Sequence, residues 1–479
     1  MRVFMIAFAA ILTLPVAAHS MVATLLKDGR VLLTSDPNFH ADISDRDPRS
    51  SSERLVGWLG GDRPPRPEAS MGPQETLNAV LFDPATDGFS YTGAMAALKQ
   101  DYNSLVLPDG RVIFTGGQRL GPRDPAPAPE LFDPKTGEFE TIESLRGLTA
   151  FCTPTLLQDG KVLMVGGWDH PVDPAVVYDP ATGRTKVVGR THQTMLNPVT
   201  VVLSNGKVLI FGADSSSAEL FNPQTESFSS AGDFPYGWFP YSATTLRDGR
   251  VFIVGGEGGN TEHDTIPPPG IEEIYDPVAG KLVPTPHTTV ARWHPLTVML
   301  RNGNVLLVGG YGKYKWLSTP RELDSAEIYD PEDNSFRETG SLPPDLADFR
   351  GNRNEKLTLL QNGKVLYTAD FNRHPYAAAL YDPLPGTFYT IEGMTFRAAS
   401  GPVVELRDGR VLLVSPGNAA GGYGWMGNHM TGIQASSMAQ ELSKTTVIFN
   451  PRNSLFEPIP VCLTEPASWS RTIRNLLIR

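Results

Sequence analysis

Cysteine is nearly absent: 479 residues hold two, Cys152 and Cys462, which excludes a dense disulfide framework as the source of stability. Cationic charge is short as well. Lys and Arg number 41 against 52 Asp and Glu, a net charge of -11, so the basic footprint that nucleic-acid binding requires is missing. After Leu14 no apolar run is long enough to cross a bilayer. There is no nucleophile elbow, phosphate loop or zinc-binding helix motif. Nor does a Pro/Gly/Ser-rich linker divide the chain, which leaves its whole length available to one closed array.

Turn residues, by contrast, abound: 46 Gly and 42 Pro in a chain that is 40% hydrophobic, the balance of an all-β array rather than of disorder. They fall into two phrases that alternate eight times. The first is an apolar run, an Asx-Gly pair and a second apolar run, turning at Asp28-Gly29, Asp109-Gly110, Asp159-Gly160, Asn205-Gly206, Asp248-Gly249, Asn302-Gly303, Asn362-Gly363 and Asp408-Gly409. The second is aliphatic, aromatic, Asx, Pro, from Leu81-Phe82-Asp83-Pro84 to Ile448-Phe449-Asn450-Pro451. Self-similarity of this period marks a stacked or closed repeat architecture.

Each phrase has a mechanical reading. Asx-Gly suits a two-residue type I′ hairpin, which needs positive φ at both central positions. The flanking runs, such as Val162-Leu163-Met164-Val165, are apolar throughout and not alternating, which suits strands covered on both faces. The Asx-Pro step ends a third strand, because Pro donates nothing to the ladder and Asx caps the turn. Following aromatics, as in Asp87-Gly88-Phe89, open a fourth. Eight units of four strands make an all-β propeller of eight blades, with seven blades and a displaced unit as the alternative.

The N-terminus reads as an export signal over residues 1–18: Arg2, an apolar core from Val3 to Leu14, then Val16-Ala17-Ala18 at the cleavage positions. The mature protein is therefore expected to be soluble and exported, in the periplasm or outside the cell, and a monomer is expected separately from this. The propeller is expected over 19–460, and 461–479 as a closing strand or tail. Cys152 and Cys462 each read as a buried thiol, and they pair only if the chain end returns to the start of the third unit.

Paired glycines at the end of the second strand, Gly116-Gly117, Gly166-Gly167, Gly255-Gly256 and Gly309-Gly310, resemble those of the kelch family over nearly the whole mature chain. The other four units lack the pair, and eight blades exceed the six or seven usual in that family. Within it, galactose oxidase and the glyoxal oxidases carry copper and a Tyr-Cys radical. Phe151-Cys152, Phe239-Pro240-Tyr241 and Ala291-Arg292-Trp293-His294 resemble segments of those enzymes. The positions that the resemblance assigns to the cross-linked and axial tyrosines are Asn197 and Trp293. An indole offers only a donor, and a radical oxidase without its ligands has no cofactor to carry the chemistry.

In a kelch-like blade the first strand is innermost, so residues about eight positions before each hairpin Asx should ring one mouth of the channel. These include Asp101, Asn197, His294 and Asn354, beside Trp293, Arg353 and Glu355. Connections between second and third strands open on that face. The longest run from Asp36 to about Gln74, with Trp58, and from Ser415 to about Lys444, with Tyr423, Trp425 and His429. Insertions confined to one face of a repeat array build its binding surface. Trp58, Trp168, Trp293, Tyr423 and Trp425 are the expected anchors, since aromatics with polar tips dominate such sites. Asp101, Asn197, His294, Arg353 and Asn354 supply directed hydrogen bonds. His170 and His429 are the histidines that could join His294 and Asp101 around a metal. The expectation is a binding protein for a glycan, peptide or protein, with no cofactor. Alternatives are a copper oxidoreductase acting on a primary alcohol or aldehyde, and a sugar epimerase or isomerase using Glu355 and His294.

Overall fold

The computed structural model describes residues 12–13, 21–35, 79–95, 100–118, 128–147, 152–166, 174–193, 195, 198–212, 217–234, 238–258, 272–312, 321–346, 355–369, 377–391, 401–414, 446–459 and 463–464. Each pair of phrases folds into one four-stranded antiparallel sheet, and eight such sheets span 21–91, 100–141, 153–190, 199–233, 238–284, 296–338, 356–391 and 403–458. We number these blades one to eight. Among the described residues there is no α-helix, only single 3-10 turns at Glu143–Leu145 and Pro344–Leu346. No described helix is long and apolar enough to cross a membrane.

The second strand of each blade explains the continuous apolar runs. Val162–Val165, Val208–Phe211, Val305–Val308 and Val411–Val414 are buried at every residue. Successive side chains point to opposite faces, and both faces are covered. Leu32 packs with Tyr102 and Phe114 of the second blade, whereas Leu33 packs with Leu412 and Ile448 of the eighth. Eight apolar clusters fill the eight gaps between neighbouring blades, the one between eighth and first included. The wheel is closed. The third-strand aromatic meets the fourth-strand one within its blade, as in Phe132–Phe139 at 4.8 Å and Tyr329–Phe336 at 4.9 Å.

The hairpin turns differ from the type I′ expectation. Leu26 N–H donates to Arg30 O (2.8 Å) and Gly29 N–H to Leu26 O (3.0 Å), and the pattern recurs in the other seven blades. Only the glycine has positive φ, for instance +96° at Gly29, while no hairpin Asx does. This is a three-residue loop, a type I turn followed by a glycine bulge. The Asx side chain decides the outcome by accepting a local hydrogen bond, Arg30 N–H to Asp28 Oδ1 at 3.0 Å, compatible with negative φ.

The two phrases also touch across blades. In four units an arginine follows Asx-Gly, and its Nη2 donates to the carbonyl of the Asx-Pro proline in the next blade. Arg30 reaches Pro134 (2.8 Å), Arg111 reaches Pro180 (2.7 Å), Arg250 reaches Pro331 (2.9 Å) and Arg410 reaches Pro84 (2.7 Å). In six units the residue before the Asx (Lys27, Gln158, Arg247, Arg301, Gln361 or Arg407) adds a second belt by donating to a backbone carbonyl of the next blade, and Arg407 closes it at Lys27 O of the first blade. Two short strands lie outside the repeat. Leu463–Thr464 runs parallel to the outer strand of blade one, pairing Leu463 with Phe89. Leu12–Thr13, inside the segment read as an export signal, pairs antiparallel with the inner strand of blade five, Leu12 with Ala243.

Candidate functional site

First strands begin, second strands end and third strands begin on one face, and the paired glycines shape it. In blade two the ladder pairs Gln100 with Gln118 and Tyr102 with Gly116, skipping Asp101 and Gly117. Blade five skips Tyr241 and Gly255 in the same way. In blade six the break widens. Leu296 pairs with Val308 and Trp293 with Tyr311, leaving His294-Pro295 opposite Gly309-Gly310. His294 itself has φ +49°, a left-handed conformation that a non-glycine residue adopts at a cost. Beyond the break Arg292–Trp293, Tyr311–Gly312 and Arg321–Glu322 form a separate three-stranded sheet at the mouth.

In blades three and five the first glycine of the pair also makes room for the next blade. A Cβ on Gly255 would lie 3.0 Å from Pro295 Cδ and 3.2 Å from His294 N. On Gly166 it would lie 2.6 Å from Pro198 Cδ, in the equivalent place one residue after Asn197. These two glycines therefore leave room for Pro198 and for His294-Pro295.

A buried ion pair holds the segment leading to His294. Arg292 is wholly buried and donates to Gly309 O (2.9 Å), Ser325 O (3.0 Å), Ser325 Oγ (3.1 Å) and Glu327 Oε1 (2.6 Å). Glu327 Oε2 accepts the Thr289 N–H at 2.7 Å. Glu219 does the same in blade four, accepting His192 N–H at 2.7 Å, with His192 Nδ1 2.7 Å from its other oxygen. Upstream, Glu272 accepts from Thr288 Oγ1 at 2.8 Å and lies 3.3 Å from His287 Nδ1. Burial pushes this acid up to about 7 against those partners. Sequence reasoning missed these carboxylates, though a glutamate two positions before the third-strand aromatic recurs at Glu130, Glu219, Glu273 and Glu327.

The start of blade seven holds the most perturbed ionisable groups. Glu355 immediately precedes the strand Lys356–Leu359. Burial, with the Glu322 carboxylate adding to it, pushes Glu355 up to about 8. Burial alone brings the Lys356 amine down to about 8, while its ammonium donates to Gly401 O of blade eight. Both side chains keep some water-accessible surface yet are surrounded by protein, as expected of an enclosed channel wall. Tyr367, paired with Leu357, is fully buried, and its hydroxyl has no hydrogen-bond partner. Lys356, Glu322 and Tyr367 were not singled out from the sequence, because their burial comes from neighbouring blades.

Of the residues singled out from sequence, His294 and Glu355 stand at the first-strand starts of blades six and seven. Asp101 and Trp293 are placed by their backbone at the mouths of blades two and six. Asn197, Arg353, Asn354, Trp168, His170, Trp58, Tyr423, Trp425 and His429 lie outside the described residues. So does Cys462, while Cys152 packs among Leu107, Ile113 and Leu145 between blades two and three.

A copper-radical centre does not fit what is described. Cys152 is buried in an apolar interface, position 293 is an indole without an acceptor, and no three His, Cys, Asp or Glu converge among the described residues.

No family model matches the chain, and no curated protein does. Among solved structures it is similar to a novel fungal alcohol oxidase of the AA5 family in complex with copper, at 16% identity over 76% of this chain and 72% of that one, with a TM-score of 0.46. At that distance the likeness adds no argument about residues or activity, and the assignment to the eight-bladed β-propellers rests on the blades themselves.

Proposed function

We propose that this is an exported propeller of the kelch type that binds a glycan, peptide or protein across its mouth face. One observation supports it above the others: blades one and eight are neighbours, sharing an apolar cluster and the Arg410–Pro84 bond. The two longest connections between second and third strands, one from each of these blades, thus leave adjacent places on the face that also carries Asp101, His294 and Glu355. Insertions gathered on one side of a repeat array build binding surfaces. The face bearing the hairpin turns is instead occupied by its own belts of hydrogen bonds.

Glycan and peptide arrays probed with purified mature protein test the reading. A defined ligand should bind, and Trp293→Ala or His294→Ala should weaken it by on the order of tenfold or more. Arg452→Ala, on the opposite face, should leave it unchanged. Equal binding by all three variants would overturn the assignment to the mouth. Sequencing the N-terminus of the secreted protein checks cleavage after Ala18. The copper oxidoreductase reading returns only if the protein takes up stoichiometric copper that His294→Ala abolishes.

A further inference from the structure

We propose that the channel-facing edge of the first strand of blade five is a docking site for an extended peptide, which adds to it as an antiparallel strand, and that the N-terminal segment occupies this site until export removes it. The site narrows the partner proposed above to a peptide. It also rests on the export reading, since residues 1–18 must leave before a partner enters.

The eight first strands touch one another in turn around the ring, blade eight meeting blade one, so they form its innermost layer. Their side chains point into the gaps between blades, Val403 toward blade seven and Val404 toward blade one. In seven blades the first strand is hydrogen-bonded, among the described residues, to the second strand alone. What the channel wall offers a ligand is therefore a row of backbone N–H and C=O groups. An open edge of that kind is a template for another strand.

Blade five is the exception. Leu12 pairs with Ala243 and Thr13 with Ser242, and both lie beside the first strand of blade four, Val199–Val202. Blade five also presents the longest first strand, Trp238–Thr245, with eight residues against three to seven elsewhere. Ser242, Ala243 and Thr244 are all buried, whereas no residue of Lys356–Leu359 in blade seven or Val403–Glu405 in blade eight is. Met21 opens blade one, opposite blade five in a ring of eight, so the segment before it pairs on the far wall of the channel. Strand addition draws its affinity from main-chain hydrogen bonds. The site therefore takes extended peptides of broad sequence, and a glycan lacks the regular row of N–H and C=O groups to match it.

Calorimetry and hydrogen exchange on the secreted protein test the site, with a soluble peptide carrying residues 9–16 between lysines. We expect one peptide per chain and slower amide exchange in Trp238–Thr245, with Val403–Glu405 unchanged. Methylating the amide nitrogens of both Leu12 and Thr13 in the peptide keeps its side chains and removes whichever donor faces blade five. That should weaken binding by on the order of tenfold. Full-length chain recovered before cleavage should bind the peptide weaker by on the order of tenfold or more, because its own tethered segment competes. With residues 1–18 confirmed absent from the secreted protein, no peptide binding, or equal binding of the methylated peptide, overturns the proposal and leaves the export reading standing. Equal binding by secreted and full-length protein overturns it too. A peptide that binds without protecting Trp238–Thr245, and that Trp293→Ala weakens, overturns the channel site while upholding the mouth.

Discussion

Glu355 and Lys356 are adjacent in sequence, and burial moves them in opposite directions toward the same pH. The Glu355 acid rises from 4.5 to about 8, so between those values the folded chain keeps a proton that the unfolded chain has released. Stability from this group is therefore complete below about 4.5 and is lost as pH rises through about 8. Glu272, raised to about 7, acts in the same sense. Lys356 falls from 10.5 to about 8 and has the opposite effect at higher pH, with stability rising between those values. The free energy of unfolding in urea should fall by a few kcal/mol from pH 5 to pH 8, at ~1.4 kcal/mol per tenfold change in proton affinity. Glu355→Gln should remove most of that fall and leave the part due to Glu272. An unchanged slope would count against the enclosed carboxyl. None of this was legible in the sequence, where Glu355 is one polar residue near a strand start. Its environment is assembled from blade six and from the sheet at the mouth.

At the scale of elements, the hairpin turn and the Asx-Pro turn act as a pair. Where arginine follows Asx-Gly, one guanidinium links its own Asx to the next blade. Arg410 is bound by Asp408, Asp87 and Pro84 O together, at 2.7, 2.8 and 2.7 Å. Lys161, Lys364 and Asn304 stay with the carboxylates of their own blades. Arg410→Met should therefore cost about 1–3 kcal/mol. Hydrogen exchange should accelerate first in the strands Gly88–Tyr91 and Leu455–Pro458, beside the junction. Uniform acceleration around the ring would show that this junction is not its weak point. The two phrases themselves were plain from the sequence, since turns and strand periods depend on near neighbours. Their contact was not, because it joins residues as far apart as 326 positions, Pro84 and Arg410.

For the whole molecule, the consequence of closure is that every blade needs two neighbours. Blade eight covers apolar faces on blades seven and one, Leu366 and Leu380 on one side, Leu33 and Phe82 on the other. A chain ending at Ile391 leaves both faces bare, and we expect it to be insoluble or to bind a hydrophobic dye strongly. A soluble, protease-resistant seven-bladed product would show that the ring can close without it. The eight-blade reading is the one the sheets show; the alternative of seven blades and a displaced unit is not seen.

By itself the sequence determined the four strands of each blade, the turn positions and the repeat, because each depends on backbone preferences over a few residues: φ at glycine, the missing donor of proline, side chains covered on both faces. Only the tertiary structure decided how the ladder opens opposite the paired glycines, how Arg292 and Glu327 hold the approach to His294, and which acids stay protonated. Those outcomes depend on desolvation and on contacts between residues tens to hundreds of positions apart, and no local pattern encodes them.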